Sequence, residues 1–328
     1  MSDTPPDVTP LPLPEVSRLA RQVLDEVGNA VVGKRQELTL VLAAVLAGGH
    51  VLIEDLPGLG KTLAARSFAQ TLGLRFARAQ FTPDLLPADL TGSFIYDQKA
   101  GEFEFRAGPL FTGLLLADEI NRTPPKTQAA LLEAMQEQQV TVEGQTFRLD
   151  PPFHVLATAN PVEYEGTYPL PEAQLDRFLM RVGFGYPSRD QEWQVLQRRL
   201  DRRREEQRLE PVTDADGLLG MQAAVETVTV EESVGRYCVA LAAATRVHPQ
   251  VLLGSSPRGA LALMLTARAL AVIDGRDYVV PEDVKAVALS VLGHRVTVKP
   301  ELWMTDVTGA SVVRGVLNSV ETPSALER

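Results

Sequence analysis

Asp55-Leu56-Pro57-Gly58-Leu59-Gly60-Lys61-Thr62 decides the fold. Before it, the apolar run His50-Val51-Leu52-Ile53-Glu54 reads as a buried strand. After it, Leu63-Ala64-Ala65-Arg66-Ser67-Phe68-Ala69 reads as a helix. Strand, glycine loop and helix N-terminus together form an anion site, where backbone N–H groups and the helix dipole meet a polyphosphate. In such a loop Lys61 reaches the β- and γ-phosphates and the Thr62 hydroxyl takes Mg2+. Pro57, Gly58, Leu59, Gly60, Lys61, Thr62 and Leu63 are the expected contacts. The usual pattern opens with glycine, and here that place holds Asp55; the tight part from Pro57 to Thr62 is intact.

Helix–strand alternation surrounds this unit. Pro14 to Val27 and Arg35 to Leu46 carry apolar residues at helical spacing. Strands are predicted at His50–Glu54, Leu74–Phe81, Gly113–Glu119, His154–Ala159 and Met180–Tyr186, separated by helical patterns such as Pro125–Gln138. That alternation predicts an α/β core with a parallel five-stranded sheet between helices. Two β-hairpins interrupt it. Ser93–Tyr96 and Glu102–Arg106 flank the turn-rich Asp97–Gly101, and Gln139–Val142 and Gln145–Arg148 flank Glu143-Gly144. Past Pro187 the pattern is helical, with breaks at Thr213–Gly217, His248–Arg258 and Asp274–Pro281. The expected division is a disordered lead-in over 1–14 and an α/β core over 15–187. A charged helical linker over 188–210, an all-α lid over 211–298 and a tail over 299–328 with one weak helical pattern at Ser311–Val320 follow.

Four further positions carry chemistry. The strand ending Ala117-Asp118-Glu119 offers what phosphoryl transfer needs beside a phosphate loop: Asp118 holds Mg2+ through water and Glu119 polarises the attacking water. The strand His154–Ala159 ends in Asn160-Pro161, whose amide would orient that water and sense the γ-phosphate; a turn-forming Asn before Pro is the plainer reading. In Gln174-Leu175-Asp176-Arg177-Phe178, Arg177 lies just before the last strand and could stabilise transition-state charge in a neighbouring subunit's site. Its alternative is a salt bridge with Asp176 or Glu172, and Arg181 is the reserve candidate for the same role. Arg258, at the helix start Gly254-Ser255-Ser256-Pro257-Arg258, could reach back to the phosphates. An arginine there opposes the helix dipole and so needs another purpose.

Composition narrows the function. The 328 residues carry a net charge of −10, with 45% hydrophobic and 23% charged content, as in an ordinary globular protein. Nucleic-acid binders usually present a basic face, so this balance disfavours nucleic acid as a partner. The hairpin tips (Asp97, Gln98, Lys99, Ala100, Gly101; Glu143, Gly144) are not basic either. The run Arg198 to Glu210 mixes Arg202, Arg203 and Arg204 with Glu205, Glu206 and Glu210, a solvated helix by its spacing. The lone Cys238 excludes an internal disulfide and reads as a core thiol. No apolar run approaches the ~18 residues of a membrane span, and Met1 to Pro14 lacks a signal-peptide pattern. A cytoplasmic location is the expectation.

In this order the parts resemble AAA+ ATPases, and the wording is similar to one branch, the MoxR family. The resemblance rests on Leu115-Leu116-Ala117-Asp118-Glu119-Ile120-Asn121-Arg122, Pro124-Pro125-Lys126-Thr127-Gln128 and Leu131-Leu132-Glu133-Ala134-Met135-Gln136-Glu137. It rests equally on Gln80-Phe81-Thr82-Pro83-Asp84-Leu85-Leu86-Pro87, Gly108-Pro109-Leu110-Phe111, Thr158-Ala159-Asn160-Pro161 and Gly275-Arg276-Asp277-Tyr278-Val279. An acidic residue opening the phosphate loop is usual in that family. The resemblance runs from about Val31 to about Arg295. It implies an ATP- and Mg2+-dependent, chaperone-like homo-oligomer, a ring of six, that matures a protein client with a partner bearing a von Willebrand factor A domain. It also implies that the hairpins face the ring's centre and that Val31-Val32-Gly33 wraps the adenine. Two other readings stand beside it: a nucleotide-gated scaffold with little turnover, and a DNA-acting motor.

Overall fold

The computed structural model describes residues 8–160, 167–203 and 207–323. Helices α1 (Leu13–Ala30) and α2 (Arg35–Leu46) precede the first strand, β1 (Val51–Glu54). Then come α3 (Lys61–Thr71), β2 (Phe76–Gln80), α4 (Pro87–Thr91) and a hairpin of β3 (Gly92–Asp97) and β4 (Glu102–Ala107). Next are β5 (Leu114–Asp118), α5 (Pro125–Glu137) and a second hairpin, β6 (Gln139–Val142) with β7 (Gln145–Arg148). The core closes with β8 (His154–Ala159), α6 (Glu172–Leu175) and β9 (Met180–Val182). Beyond lie α7 (Arg189–Arg202), α8 (Ala215–Val225), α9 (Glu232–Val247) and β10 (Val251–Leu253). The last elements are α10 (Pro257–Ile273), α11 (Pro281–Leu292), β11 (Thr297–Val298) and α12 (Gly309–Ser319).

All five core strands pair in parallel, in the order β2-β5-β8-β1-β9. Every residue of β5 and β8 is buried. That is why both read as continuous apolar runs: a parallel sheet is covered on both faces by its crossover helices. On one face a single core runs from α1 and α2 through Ile53 and Phe68 into the lid residues Leu241, Leu263 and Val287. The other face packs Leu52, Leu115, Leu131, Val155 and Phe178. Helix α1 joins the two halves, since Val16, Ala20, Val23 and Val27 form a buried stripe touching both α3 and α10.

Both hairpins form, and an aromatic cluster locks them together. Phe105 of β4 stacks on Phe147 of β7 with centroids 4.0 Å apart, and Phe94 and Phe111 close around them. Tyr96 and Phe103, on the same face nearer the tip, stay exposed.

Four expectations need correction. Strands do not stop at Pro187: β10 and β11 pair antiparallel, and Thr229 bridges Tyr278. These strands span 3 and 2 residues, too short to show a period of two. The tail expected from residue 299 is part of the lid: its helical pattern forms α12, whose Val312, Val313 and Val316 are buried, with the helix packed on α9 and α11. The lead-in expected over 1–14 ends earlier. The Leu11 N–H donates to the Gly220 carbonyl at 3.1 Å, and α1 starts at Leu13, with Pro14 at a first-turn position that needs no N–H partner. Residues 1–7, Pro161, Arg204, Glu205 and Glu206 lie outside the described residues. In the linker, α7 has no buried side chain, but the run from Arg198 expected as a helix to Glu210 is helical only to Arg202: Arg203 turns left-handed, and residues 207–210 are irregular, with Leu209 buried. No helix among the described residues is long and apolar enough to cross a membrane.

Three histidines are sealed in the interior. The His50 Nε2 bonds the Met135 carbonyl at 3.1 Å while its Nδ1 accepts from the Val155 N–H at 3.0 Å, which fixes a neutral ring. His154 bridges the Gly49 carbonyl and the Gln222 amide of α8, and His294 faces the Phe178 carbonyl. Burial pushes all three down, His50 to about 4. The folded state thus favours the neutral rings. Their contribution is complete above the ordinary histidine value near 6.5 and fades as pH falls, for His50 between that value and about 4. For His50 alone the loss is on the order of 3 kcal/mol. The thermal unfolding midpoint should therefore drop between pH 7.5 and 4.5, and His50→Asn should flatten that dependence. An unchanged slope in the variant would assign the acid lability elsewhere.

Candidate active site

The glycine loop forms as its residues dictate. Gly58 and Gly60 sit at φ of 81° and 80°, a left-handed backbone that residues with a Cβ avoid. A Cβ at either position would meet nothing within 4 Å, so the inner face of the loop opens onto free space. Helix α3 follows directly, with Gly60 as its cap residue and no side-chain cap among the described residues, which leaves the first-turn N–H groups of Lys61, Thr62 and Leu63 as the donors a helix end offers an anion. An open cradle of N–H groups with a lysine beside it fits a nucleotide polyphosphate. The Lys61 Nζ donates to the Asp55 carbonyl at 2.7 Å. Burial lowers its pKa, while the charges of Asp55, Asp118 and Glu119 oppose the shift, so the ammonium lies in the field of all three.

Asp55 has a structural reason to stand where glycine is usual. Its Oδ2 accepts from the Gly185 N–H at 2.6 Å and its Oδ1 from the Leu56 N–H at 2.8 Å. The carboxylate ties the loop to the segment leading into the lid. Buried Lys34 does the same from the other side, donating to the Phe184 carbonyl and, at 3.2 Å, to that of Tyr186. Val31, Val32 and Gly33 occupy the turn between α1 and α2, where the Gln191 amide of α7 donates to the Gly33 carbonyl at 3.2 Å. A cavity of ≈760 Å³ opens against Val32, Leu63, Ser67 and Val195.

Asp118 and Glu119 end β5, two strands from the glycine loop, with β8 between. The Asp118 carboxylate is buried: Oδ1 accepts from the Thr158 hydroxyl at 2.6 Å, and Oδ2 from Arg78 Nη2 at 2.6 Å. The Thr158 hydroxyl in turn accepts from the Glu119 N–H at 2.8 Å. Glu119 adopts φ 57°, a strained left-handed conformation for a residue with a side chain. Its Oε2 accepts from the Gln80 amide at 2.8 Å and pairs with Arg122 Nη1 at 3.1 Å. Asn160 is buried at the tip of β8, the strand between the loop's β1 and the acidic β5. The Asn121 amide donates to its carbonyl at 3.2 Å.

The two arginines are placed differently. Arg177 is half-buried in the turn between α6 and β9. Its alternative partners are committed elsewhere: Asp176 bonds Arg295 and Ser256, and Glu172 accepts from the Thr297 hydroxyl. Arg181, the reserve candidate, pairs with Glu54 at 2.8 Å. Arg258 is exposed in the first turn of α10, where the Ser256 hydroxyl caps the helix by accepting from the Arg258 N–H at 3.2 Å. Sequence reasoning did not assign roles to Arg78, Gln80, Arg122 and Thr158. Gln80 was findable, since it ends the strand that pairs with Asp118; the rest needed the three-dimensional structure.

A glycine loop after β1 and an acidic pair after β5, in that strand order and followed by a helical domain, is the arrangement of the AAA+ ATPases. Residues 50–180 match the family model described as ATPase family associated with various cellular activities (AAA), and residues 243–315 match that of the AAA lid domain. The chain is 41% identical to Chaperone MoxR1 of Mycobacterium tuberculosis, over 94% of its own length and 83% of that protein's. To Protein MoxR of Methylorubrum extorquens it is 33% identical, over 91% of itself and 93% of the relative. The solved structure of a candidate ATPase from Cytophaga hutchinsonii superposes with a TM-score of 0.88 at 41% identity, covering 94% of this chain and 96% of that one. The chain belongs to the MoxR family of AAA+ ATPases.

Proposed function

We propose that this chain hydrolyses ATP with Mg2+ in a cytoplasmic ring of its own copies, six in number, and uses the energy to remodel a partner protein. One observation carries the reading: Lys61, Asp118, Glu119 and Asn160 converge at the C-terminal ends of adjacent parallel strands around an open glycine cradle, where ligands of such sheets bind. Pro57 to Leu63 and the Lys61 ammonium hold the polyphosphate, while Thr62 and Asp118 hold the metal, Asp118 through water. Val31, Val32 and Gly33 would wrap the base, Val32 lining the cavity that Leu63 also lines. ATP supplies the transferable phosphoryl group, and Mg2+ neutralises its charge. Glu119 takes the proton of the attacking water, Asn160 orients that water, Arg258 senses the phosphates from the lid, and Arg177 serves the neighbouring subunit's site.

The exposed Tyr96–Phe103 pair offers a contact surface for the remodelled protein, for which a von Willebrand factor A domain partner is the expectation. The scaffold reading draws on a specific observation too, the tether of Glu119 to Gln80 and Arg122, which withholds the base in this state. The reading is tested by mixing chains. Arg177→Ala has an intact pocket and Lys61→Ala an intact finger, so each alone should be nearly inactive and the mixture should regain phosphate release. No recovery at any ratio would mean that Arg177 does not act between subunits.

A further inference from the structure

We infer that the lid, through Arg295 and Ser256, positions the segment bearing Arg177, so that the arginine offered to the neighbouring subunit is aimed by the lid of the chain that carries it. The inference rests on the proposed role of Arg177 between subunits.

The residues on both sides of Arg177 are gripped from the lid. The Arg295 side chain is only 4% exposed and donates from Nε to Asp176 Oδ1 at 2.7 Å. Its Nη2 donates to the Phe178 carbonyl at 2.7 Å and its Nη1 to that of Leu179 at 3.2 Å. His294 adds a bond to the Phe178 carbonyl at 3.2 Å, and the Thr297 hydroxyl donates to Glu172. The second Asp176 oxygen accepts from the Ser256 hydroxyl at 3.2 Å. Ser256 is also the cap of α10, the helix whose first turn carries Arg258. One carboxylate therefore joins the residue before Arg177 to the helix start two residues before Arg258.

Beside the packing of α11 on β9, polar groups join the two surfaces at this point. A cavity of ≈300 Å³ lies beside them, lined among others by Asp176, Leu253, Ser256 and Arg295. Burial lowers the Arg295 guanidinium, its bonds to Asp176 oppose that, and the nearby Arg258 charge adds to the lowering. A buried guanidinium with one carboxylate partner holds a unique geometry, and loss of that partner leaves an uncompensated charge. Reach to a neighbour's phosphate depends on angle, and a misplacement of about 1 Å costs on the order of 10²-fold. Arg295 and Asp176 are thus positioning residues for Arg177.

The test is directional. With recovery between Arg177→Ala and Lys61→Ala chains as the reference, Asp176→Asn is added to one partner at a time. Placed in the Lys61→Ala chain, which supplies the finger, it should cut recovery at least ~10-fold. Placed in the Arg177→Ala chain, which supplies only the pocket, it acts only through the Ser256 cap beneath Arg258 and should lower recovery by no more than about 3-fold. Nucleotide binding by the Asp176→Asn chain should be unchanged. Equal losses in both arrangements, or none in either, would overturn the inference, whereas absence of recovery in the reference mixture would overturn the role of Arg177 itself. Should Asp176→Asn unfold, Ser256→Ala in the same two placements reads the same asymmetry at smaller amplitude, and symmetry there overturns the inference equally.

Discussion

Glu119→Gln is expected to bind nucleotide as the native chain does and to release phosphate at least ~10²-fold more slowly. The substitution suits this site. A glutamine carbonyl can still accept from the Gln80 amide and from Arg122, the groups that hold Oε2. The backbone bond from residue 119 to the Thr158 hydroxyl involves no side-chain atom of Glu119, so the strained turn at φ 57° also survives. Only basicity is removed. Titration with a fluorescent nucleotide beside a phosphate-release assay separates the two effects. Phosphate release near the native rate would show that the water is activated by another group and that the site is wrongly assigned.

Lys61→Ala should act on binding itself. The Lys61 ammonium is half-buried, with a single hydrogen-bond partner in the Asp55 carbonyl, and lies in the field of three carboxylates. A polyphosphate entering the cradle offers it charged acceptors instead. Hydrogen bonds to charged groups contribute about 1.5–3 kcal/mol each, so the dissociation constant should rise by roughly 10- to 100-fold. The measurement is the same titration. An unchanged constant would mean that nucleotide is held elsewhere, with the cavity beside Val32 and Leu63 the first place to look.

The fold was legible where physics is local. Glycines at positive φ, an apolar strand ahead and a helix behind identify the phosphate cradle within eight residues. The fully buried β5 and β8 read as unbroken apolar runs, and both hairpins announced themselves through turn residues between alternating strands. Elements that depend on distant partners were not legible. β10 and β11 exist because residues 251 and 298 meet across the lid, whereas α12 lies on the helical pattern that Ser311–Val320 already shows. The same holds at the site. Asp118 is readable as a strand-end carboxylate, but Arg78 and Thr158 reach it from 40 residues away on either side. Arg295 meets Asp176 across 119 residues, and neither carries a local pattern that marks it. Asp55 departs from the glycine of the usual loop pattern, and only the fold shows its carboxylate holding the Gly185 N–H.

The central claim is that Lys61, Asp118 and Glu119 form a hydrolytic site that works between copies of this chain. It is tested most directly by steady-state phosphate release from ATP with Mg2+, measured per chain across a range of protein concentrations. The account predicts sustained release whose rate per chain rises as subunits meet, because Arg177 then completes the neighbour's site. Nucleotide binding with no release at any concentration, or release at a rate independent of concentration, would contradict it.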